Sequence, residues 1–417
     1  MPQNIVGRGG RLFGERVPGQ DESVFQVNNT SQAYFNSPYY LLHQKQVQPV
    51  PAPSVSPPRL NLADVVDDPF IAAIQAAKKI VFHAVGDTGA AKNNNPATEA
   101  SVADVMAADV AAGGPDAPSF FFHLGDVVYY FGEDQYYYDQ FYEPFRAYDR
   151  PIFAIPGNHD GVVFGSDPSV PAVPTLQGFR RNFCAAAPGP SPDSGTLVRS
   201  AMTQPGVYFT LDAPFVSIIG LYSNVLEGPG VISSQGGAYP IGDEQKQFLT
   251  SELQRLKAEH DAGTRAVVLA VHHPPLSVDS KHGGTTGLSN DIDACCTAAG
   301  LWPDVVLSGH AHLYQRYARK IGGQTVAYVV SGSGGFAATR PLNNIVAPHV
   351  EGNVTLVHGP IVKFGYLTVT VDFTGPAGAL TVTFHLVEGG KARVEDSVTV
   401  ALPGGKQSPR TGTAKRR

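Results

Sequence analysis

Five short polar motifs carry the residues best suited to chemistry. They are Gly86-Asp87-Thr88-Gly89, Gly125-Asp126-Val127-Val128-Tyr129, Gly157-Asn158-His159-Asp160, His272-His273-Pro274-Pro275 and Gly309-His310-Ala311-His312. Each sets oxygen or nitrogen donors beside a glycine or proline that turns the chain sharply. Carboxylate, amide and imidazole in this mixture suit hard or borderline ions such as iron, manganese and zinc. Thiolate chemistry has no such support. Cys184 stands alone and Cys295 and Cys296 are adjacent, with no CxxC or Cys/His spacing. They read as small buried residues, not as a disulfide framework or a metal site.

Each motif follows a short apolar run of strand character. The runs are "IVFHAV" (80–85), "SFFFHL" (119–124), "PIFAI" (151–155), "RAVVLAV" (265–271) and "DVVLS" (304–308). In open α/β sheets, sites form outside the carboxyl ends of strands, which would bring five distant motifs to one place. A helical pattern, "DDPFIAAIQAAKK" with Pro69 near its start, precedes the first run, and the steps after it hold "TEASVADVMAADVAA" and "EDQYYYDQFYEPFRAY", broken near Pro144. "IGDEQKQFLTSELQRLKAEH" is the clearest amphipathic helix, with Phe248, Leu249, Leu253 and Leu256 on one stripe. "GVYFTL" and "FVSIIGLY" read as paired strands. The closing strands "GYLTVTVDF", "ALTVTFHLV" and "RVEDSVTVAL" read as a second, antiparallel-rich sheet packed on the first.

Residues 1–66 stand apart. "QPVPAPSVSPP" favours extended polyproline II, and "VFQVNNTSQAYFNSPYYLL" is apolar enough to pack on a domain surface. The division expected is an N-terminal arm and linker over 1–66, one catalytic domain over 67–403, and a loose basic tail over 404–417. The first twenty residues or so are expected to have low order. The N-terminus has no apolar stretch of signal-peptide type, and nothing reaches transmembrane length, so a cytoplasmic protein without membrane contact is expected. A net charge of −6 gives no sign of a nucleic-acid surface. It also means that a phosphate site needs local positive charge. The oligomeric state is not legible.

The five ordered motifs resemble those of the calcineurin-like metallophosphoesterases, over about residues 79–335, with "FGYLTV" and the strands after it similar to that family's final hairpin. The resemblance implies an α/β (α+β) fold, a four-layer α/β/β/α sandwich of two packed mixed sheets flanked by helices. Most members carry Asp-x-His in the first block, where Gly89 stands here. Purple and tartrate-resistant acid phosphatases also lack that His and use a Tyr three residues after the second Asp, the place of Tyr129. Protein Ser/Thr phosphatases put an Asp there, followed by Arg-Gly, and this chain has neither. The chain is therefore similar to the purple acid phosphatase branch.

That resemblance implies two metal ions. One would take Asp87, Tyr129 and His312, the other Asn158, His272 and His310, with Asp126 bridging. The ions implied are Fe(3+) plus a divalent Fe, Zn or Mn, or else two divalent ions. Either set gives a formal charge of about +1 with its ligands, enough to attract a phosphate dianion. A metal-activated hydroxide would attack a small-molecule phosphoester in line, and two ions can neutralise the transition-state charge. His159 is the first candidate for general acid and His273 the second. His282, in the loop "SKHGGTTG", could cover the site. Plainer roles stand beside these: packing for Tyr129, structural histidines at 159 and 273, core histidines at 83 and 123, and a solvated helix face for Arg180 and Arg181. The reaction expected is phosphomonoester hydrolysis of acid-phosphatase character. Phosphodiester hydrolysis and a non-catalytic scaffold are the alternatives.

Overall fold

The computed structural model describes residues 23–43, 49–89, 96–129, 131–161, 175–197, 199–223, 230–237, 239, 241–342 and 345–403. The expected low order of the first residues and the basic tail lie outside these. Two mixed sheets stack face to face. The first has six strands, in the order Lys391–Ala401, Ala379–Glu388, Gly365–Asp372, Lys79–Val85, Phe121–His123, Ile152–Ala154. The second has nine, in the order His349–Glu351, Val354–Ile361, Tyr314–Ile321, Gln324–Ser331, Val305–Ser308, Ala266–Val271, Val216–Leu221, Phe209–Ala213, Arg59–Asn61.

Alternation along the strands explains the stack. Ile80, Phe82 and Ala84 face the second sheet, as do Phe122 and Leu124, and they meet Phe209, Ile218, Val268, Ala270 and Leu307. The opposite faces carry Val85, Phe121, Val267, Leu269 and Val271, which pack with helical residues. Helix Glu244–Asp261 lies on the second sheet and helix Thr286–Ala299 lies against it. Its stripe of Phe248, Leu249, Leu253 and Leu256 is buried as expected. Helix Pro96–Ala112 covers the first sheet at Gly365–Asp372 and Ala379–Glu388. Helix, sheet, sheet, helix gives the four layers. No helix among the described residues is long and apolar enough to cross a membrane.

Two expectations change. The closing strands form no sheet of their own. Gly365–Asp372 pairs antiparallel with Lys79–Val85, with Leu367 opposite Ala84, so they extend the sheet of the first three motifs. Residues 133–148 form no regular α-helix. A short 3-10 turn at Asp134–Tyr136 leads into a π turn at Tyr138–Tyr142. Pro144 removes a backbone donor just beyond, and the wide turn buries Gln140, Phe141 and Tyr142.

The segment ahead of residue 67 takes part in both sheet and surface. Strand Arg59–Asn61 pairs parallel with Phe209–Ala213. Gln26–Val27 pairs parallel with Gly284–Thr285, and Phe25, Val27, Tyr34 and Tyr40 are buried.

Candidate metal centre

The five motifs are split between the sheets. Asp87, Asp126 and Asn158 follow parallel strands of the first sheet, while His272, His310 and His312 follow parallel strands of the second. Their carboxyl ends meet at one seam. His310 N donates to Asp87 Oδ2 at 2.7 Å, His272 Nδ1 bonds the Leu124 carbonyl at 2.8 Å, and Gly86 N donates to the Ser331 carbonyl at 3.0 Å. Each of these bonds crosses from one sheet to the other.

Sharp turns aim the side chains. Asp87, Asp126 and His310 have φ of 60°, 57° and 66°, a left-handed conformation that costs a non-glycine residue energy and is typically retained where function needs it. Gly157 allows the close approach, because a Cβ there would stand 2.1 Å from Asp126 Oδ1.

All seven expected ligand residues come together, and all are buried. Asp87, Asp126 and His312 can place donor atoms within 4.8 Å of one another, and so can Asp126, His272 and His310. Tyr129 Oη lies 3.1 Å from Asp87 Oδ1, 2.9 Å from Asp126 Oδ2 and 3.3 Å from His312 Nε2. Asn158 Oδ1 lies 3.1 Å from His272 Nε2 and 2.9 Å from His310 Nδ1.

This donor set fits cations. The Leu124 carbonyl fixes the His272 proton on Nδ1, leaving a lone pair on Nε2 of the neutral ring. That lone pair faces Asn158 Oδ1 and, at 3.4 Å, Asp126 Oδ2. Oxygen and nitrogen lone pairs repel unless a positive charge stands between them. Protonation is one answer: burial alone would lower His272, but the Asp126 carboxylate holds it up at about 9. A metal ion is the other. The same conflict arises at Tyr129, whose single phenolic proton cannot serve two carboxylates. Burial and those carboxylates push the phenol well above its usual range, so only a strong Lewis acid would make it a tyrosinate.

The surroundings of Tyr129 include residues that sequence reasoning missed. Gln140 accepts from Tyr129 N and donates to Tyr129 O, both at 2.8 Å. Phe336 stacks on the Tyr129 ring at 3.5 Å, and His159 lies 4.1 Å from that ring. A Cβ at position 89 would stand 2.5 Å from the Val127 carbonyl and 2.8 Å from Gln140 Oε1. The space of the missing histidine is thus taken by the loop that carries the tyrosine. Asp160 accepts from Gly157 N, Val127 N and Val128 N. Burial and the Asp126 charge nevertheless push its carboxyl up to about 7. Phe336 had a legible signal, since "SGSGG" ends the strand Gln324–Ser331 as the other motifs end theirs.

The remaining histidines divide. His159 is mostly buried, its Nε2 is 4.0 Å from Asp126 Oδ2, and its backbone N donates to Asp126 Oδ1 at 2.8 Å. His273 packs 4.2 Å from the His310 ring, and its Nδ1 bonds Ser223 Oγ at 2.9 Å. Burial and the neighbouring His272 hold it well below the usual range, so it is neutral. His282 is half-buried, 4.3 Å from the His310 ring and 5.7 Å from that of His312. His83 and His123 are buried in the strands, bonded to Tyr148 and Thr88. Arg181 is paired with Asp134 and Asp193, as on a helix face.

Two packed mixed sheets thus gather buried Asp, Asn and His donors at their seam, a cluster that could hold metal ions. The family model described as calcineurin-like phosphoesterase matches residues 80–314, more than half of the chain, and the chain belongs to that family. No curated protein matches it. Among solved structures it is similar to GAP50, described as the anchor in the inner membrane complex of Plasmodium. The identity is 12%, the match covers 79% of this chain and 90% of that one, and the TM-score is 0.51. It also matches Vps29 from Entamoeba histolytica at 10% identity, covering 77% and 99% of the two chains with a TM-score of 0.29. Chaetomium thermophilum Vps29 matches at 11% identity, covering 78% and 98% with a TM-score of 0.30. Likeness at these identities concerns the fold alone.

Proposed function

We propose that this protein hydrolyses phosphoric monoesters at a dinuclear metal centre of purple-acid-phosphatase type. The observation that carries the reading is the Tyr129 hydroxyl, within 3.1 Å of both Asp87 and Asp126 in a chain whose first motif lacks the usual histidine. Asp87, Tyr129 and His312 would hold one ion, Asn158, His272 and His310 the other, and Asp126 would bridge. A ferric ion with divalent Fe, Zn or Mn suits a tyrosinate, and two divalent ions suit a neutral phenol. Bound metal ions supply Lewis acidity, which neutralises phosphoryl charge and lowers the pKa of water to near ~7.

The protein's own residues do the rest. Asp160 ties the Gly157 and Val127 turns together and so fixes the spacing of Asn158 and Asp126. His159, at the rim of the cluster, gives a proton to the departing alkoxide. His273 is a neutral hydrogen-bond donor oriented by Ser223, a weaker candidate for proton transfer. His282 faces the substrate from the loop above His310 and His312. The substrate is a small-molecule phosphoester.

An optical spectrum with elemental analysis tests this reading. Two metal ions per chain and a visible tyrosinate-to-iron band are expected. Rates on p-nitrophenyl phosphate and its bis-ester then separate monoesterase from diesterase. Two metals without the band would move the centre to a pair of divalent ions. Less than one metal per chain, with neither ester cleaved, would favour a scaffold instead, the kind of role that the GAP50 description names for that protein.

A further inference from the structure

The loop from Pro275 to Thr285 joins the His272 strand to helix Thr286–Ala299 and carries His282 over His310 and His312. One side of it is held by neighbouring chain: Ser280 N donates to the Arg340 carbonyl at 2.8 Å and Leu342 N to the Val278 carbonyl at 2.7 Å. The other side is held by residues more than 240 positions earlier in the chain, in the N-terminal arm.

The arm grips this loop at five successive points. Gln26 Nε2 donates to the Pro275 carbonyl at 2.9 Å and to Ser289 Oγ at 2.6 Å, bridging the start of the loop and the first turn of the helix that follows it. The Phe25 carbonyl accepts from Ser277 N at 3.0 Å. Gln26 and Val27 pair in parallel with Gly284 and Thr285. Asn29 Oδ1 accepts from Gly287 N at 2.7 Å, and no side chain of the helix's own N-cap residue, Thr285, makes that bond. A first-turn donor of the helix is thus capped from the arm.

Both partners are shaped for the contact. A Cβ at Gly284 would stand 2.6 Å from the Phe25 carbonyl, so the loop is bare where the arm crosses. Asn29 is fully buried and spends its amide on Tyr239 Oη at 3.1 Å, which donates back to the Asn29 carbonyl at 3.1 Å. The arm is itself pinned. Phe25 meets Tyr317 and His349 edge-on at 5.2 and 5.6 Å, and Val24 N and Ser23 Oγ bond Glu351. Backbone pairing, a polar bridge across the loop base and a buried cap together leave the loop few ways to move.

We infer that the N-terminal arm is a strap that positions the His282 loop over the metal centre, with Gln26 and Asn29 as positioning residues. The kinetic part rests on the phosphatase reading, and the structural part does not. The test is a full-length Gln26→Ala/Asn29→Ala variant, followed by hydrogen exchange of residues 276–287, metal content, and steady-state kinetics on p-nitrophenyl phosphate.

The strap predicts exchange faster by about tenfold or more in that loop, with metal content unchanged. KM should rise about tenfold while kcat stays within about twofold, because binding contacts loosen and the metal ligands stay in place. Unchanged exchange would overturn the inference, and so would an equal loss of metal and kcat, which would make the arm a general support. An inactive wild-type protein whose loop exchange still rises in the variant would sink the phosphatase reading and leave the strap standing. Should the double variant fail to fold, Gln26→Ala alone gives the same readouts, since it removes only the bridge between Pro275 and Ser289.

Discussion

Replacing Gly89 with alanine should cripple the proposed phosphatase activity without substituting any candidate ligand. The added methyl would stand 2.5 Å from the Val127 carbonyl and 2.8 Å from Gln140 Oε1, against 3.4 Å or more for an ordinary contact. Relief therefore needs the Val127 carbonyl to move from 2.5 to 3.4 Å and Gln140 Oε1 from 2.8 to 3.4 Å. Neither can give cheaply. Val127 N is bonded to Asp160, and the Gln140 amide is spent on both main-chain groups of Tyr129. The shift passes to the Tyr129 ring, which is boxed between Phe336 and His159. Overpacking of this kind costs about 1–3 kcal/mol of stability. A misplacement near 1 Å can lower turnover by ~10²-fold. The assay is kcat/KM on p-nitrophenyl phosphate, with metal analysis and a visible spectrum of the same sample. A Gly89→Ala protein with activity within twofold of wild type and an unmoved spectrum would refute the claim that Gly89 makes room for the tyrosine.

Asp126→Ala should lose both metals and all activity, because among the described residues Asp126 is the carboxylate shared by both donor groups; elemental analysis checks this. His159→Ala should keep its metals but turn over ~10²–10⁴-fold more slowly, and full activity would remove it as the acid. Acid should weaken the fold through His83 and Asp109. Burial lowers His83, and although burial pushes Asp109 up, bonds from His83 and Tyr366 hold it below the usual carboxylate range. Both groups bind protons more readily when unfolded, so stability is full above about pH 6.5 and falls as the pH drops through the His and then the carboxylate range. Urea midpoints between pH 8 and 4 would show it, and His83→Gln should lose the upper part of the decline.

Much of the candidate site was legible because its Asp, Asn and His side chains sit at strand ends, where a glycine turn and a polar donor interrupt an apolar run. That pattern is local and survives without any knowledge of the partner strand. The resemblance implied two packed mixed sheets, but which strand joins which sheet was not legible. Buried parallel strands such as Lys79–Val85 and Ala266–Val271 read alike whichever sheet they join. Helix Thr286–Ala299 was hidden by its small and polar buried residues, among them Ser289, Asp291 and Cys295. Strand Tyr314–Ile321 was hidden by Arg316, Arg319 and Lys320. The supporting roles of Gln140 and the arm depend on tertiary contacts, which no spacing rule encodes.

The pairing of Ala84 with Leu367 also sets a timetable. At ~5–20 residues per second, on the order of 15–60 s separates the synthesis of these two residues. Throughout that interval the strand leading to Asp87 has one flank without its neighbour, and in its closing part, once His312 has been made, all the candidate ligand residues are present as well. A nascent chain thus holds the candidate metal-binding side chains before it holds the frame that spaces them, and a chain halted before residue 365 would carry those groups with the seat of Asp87 incomplete.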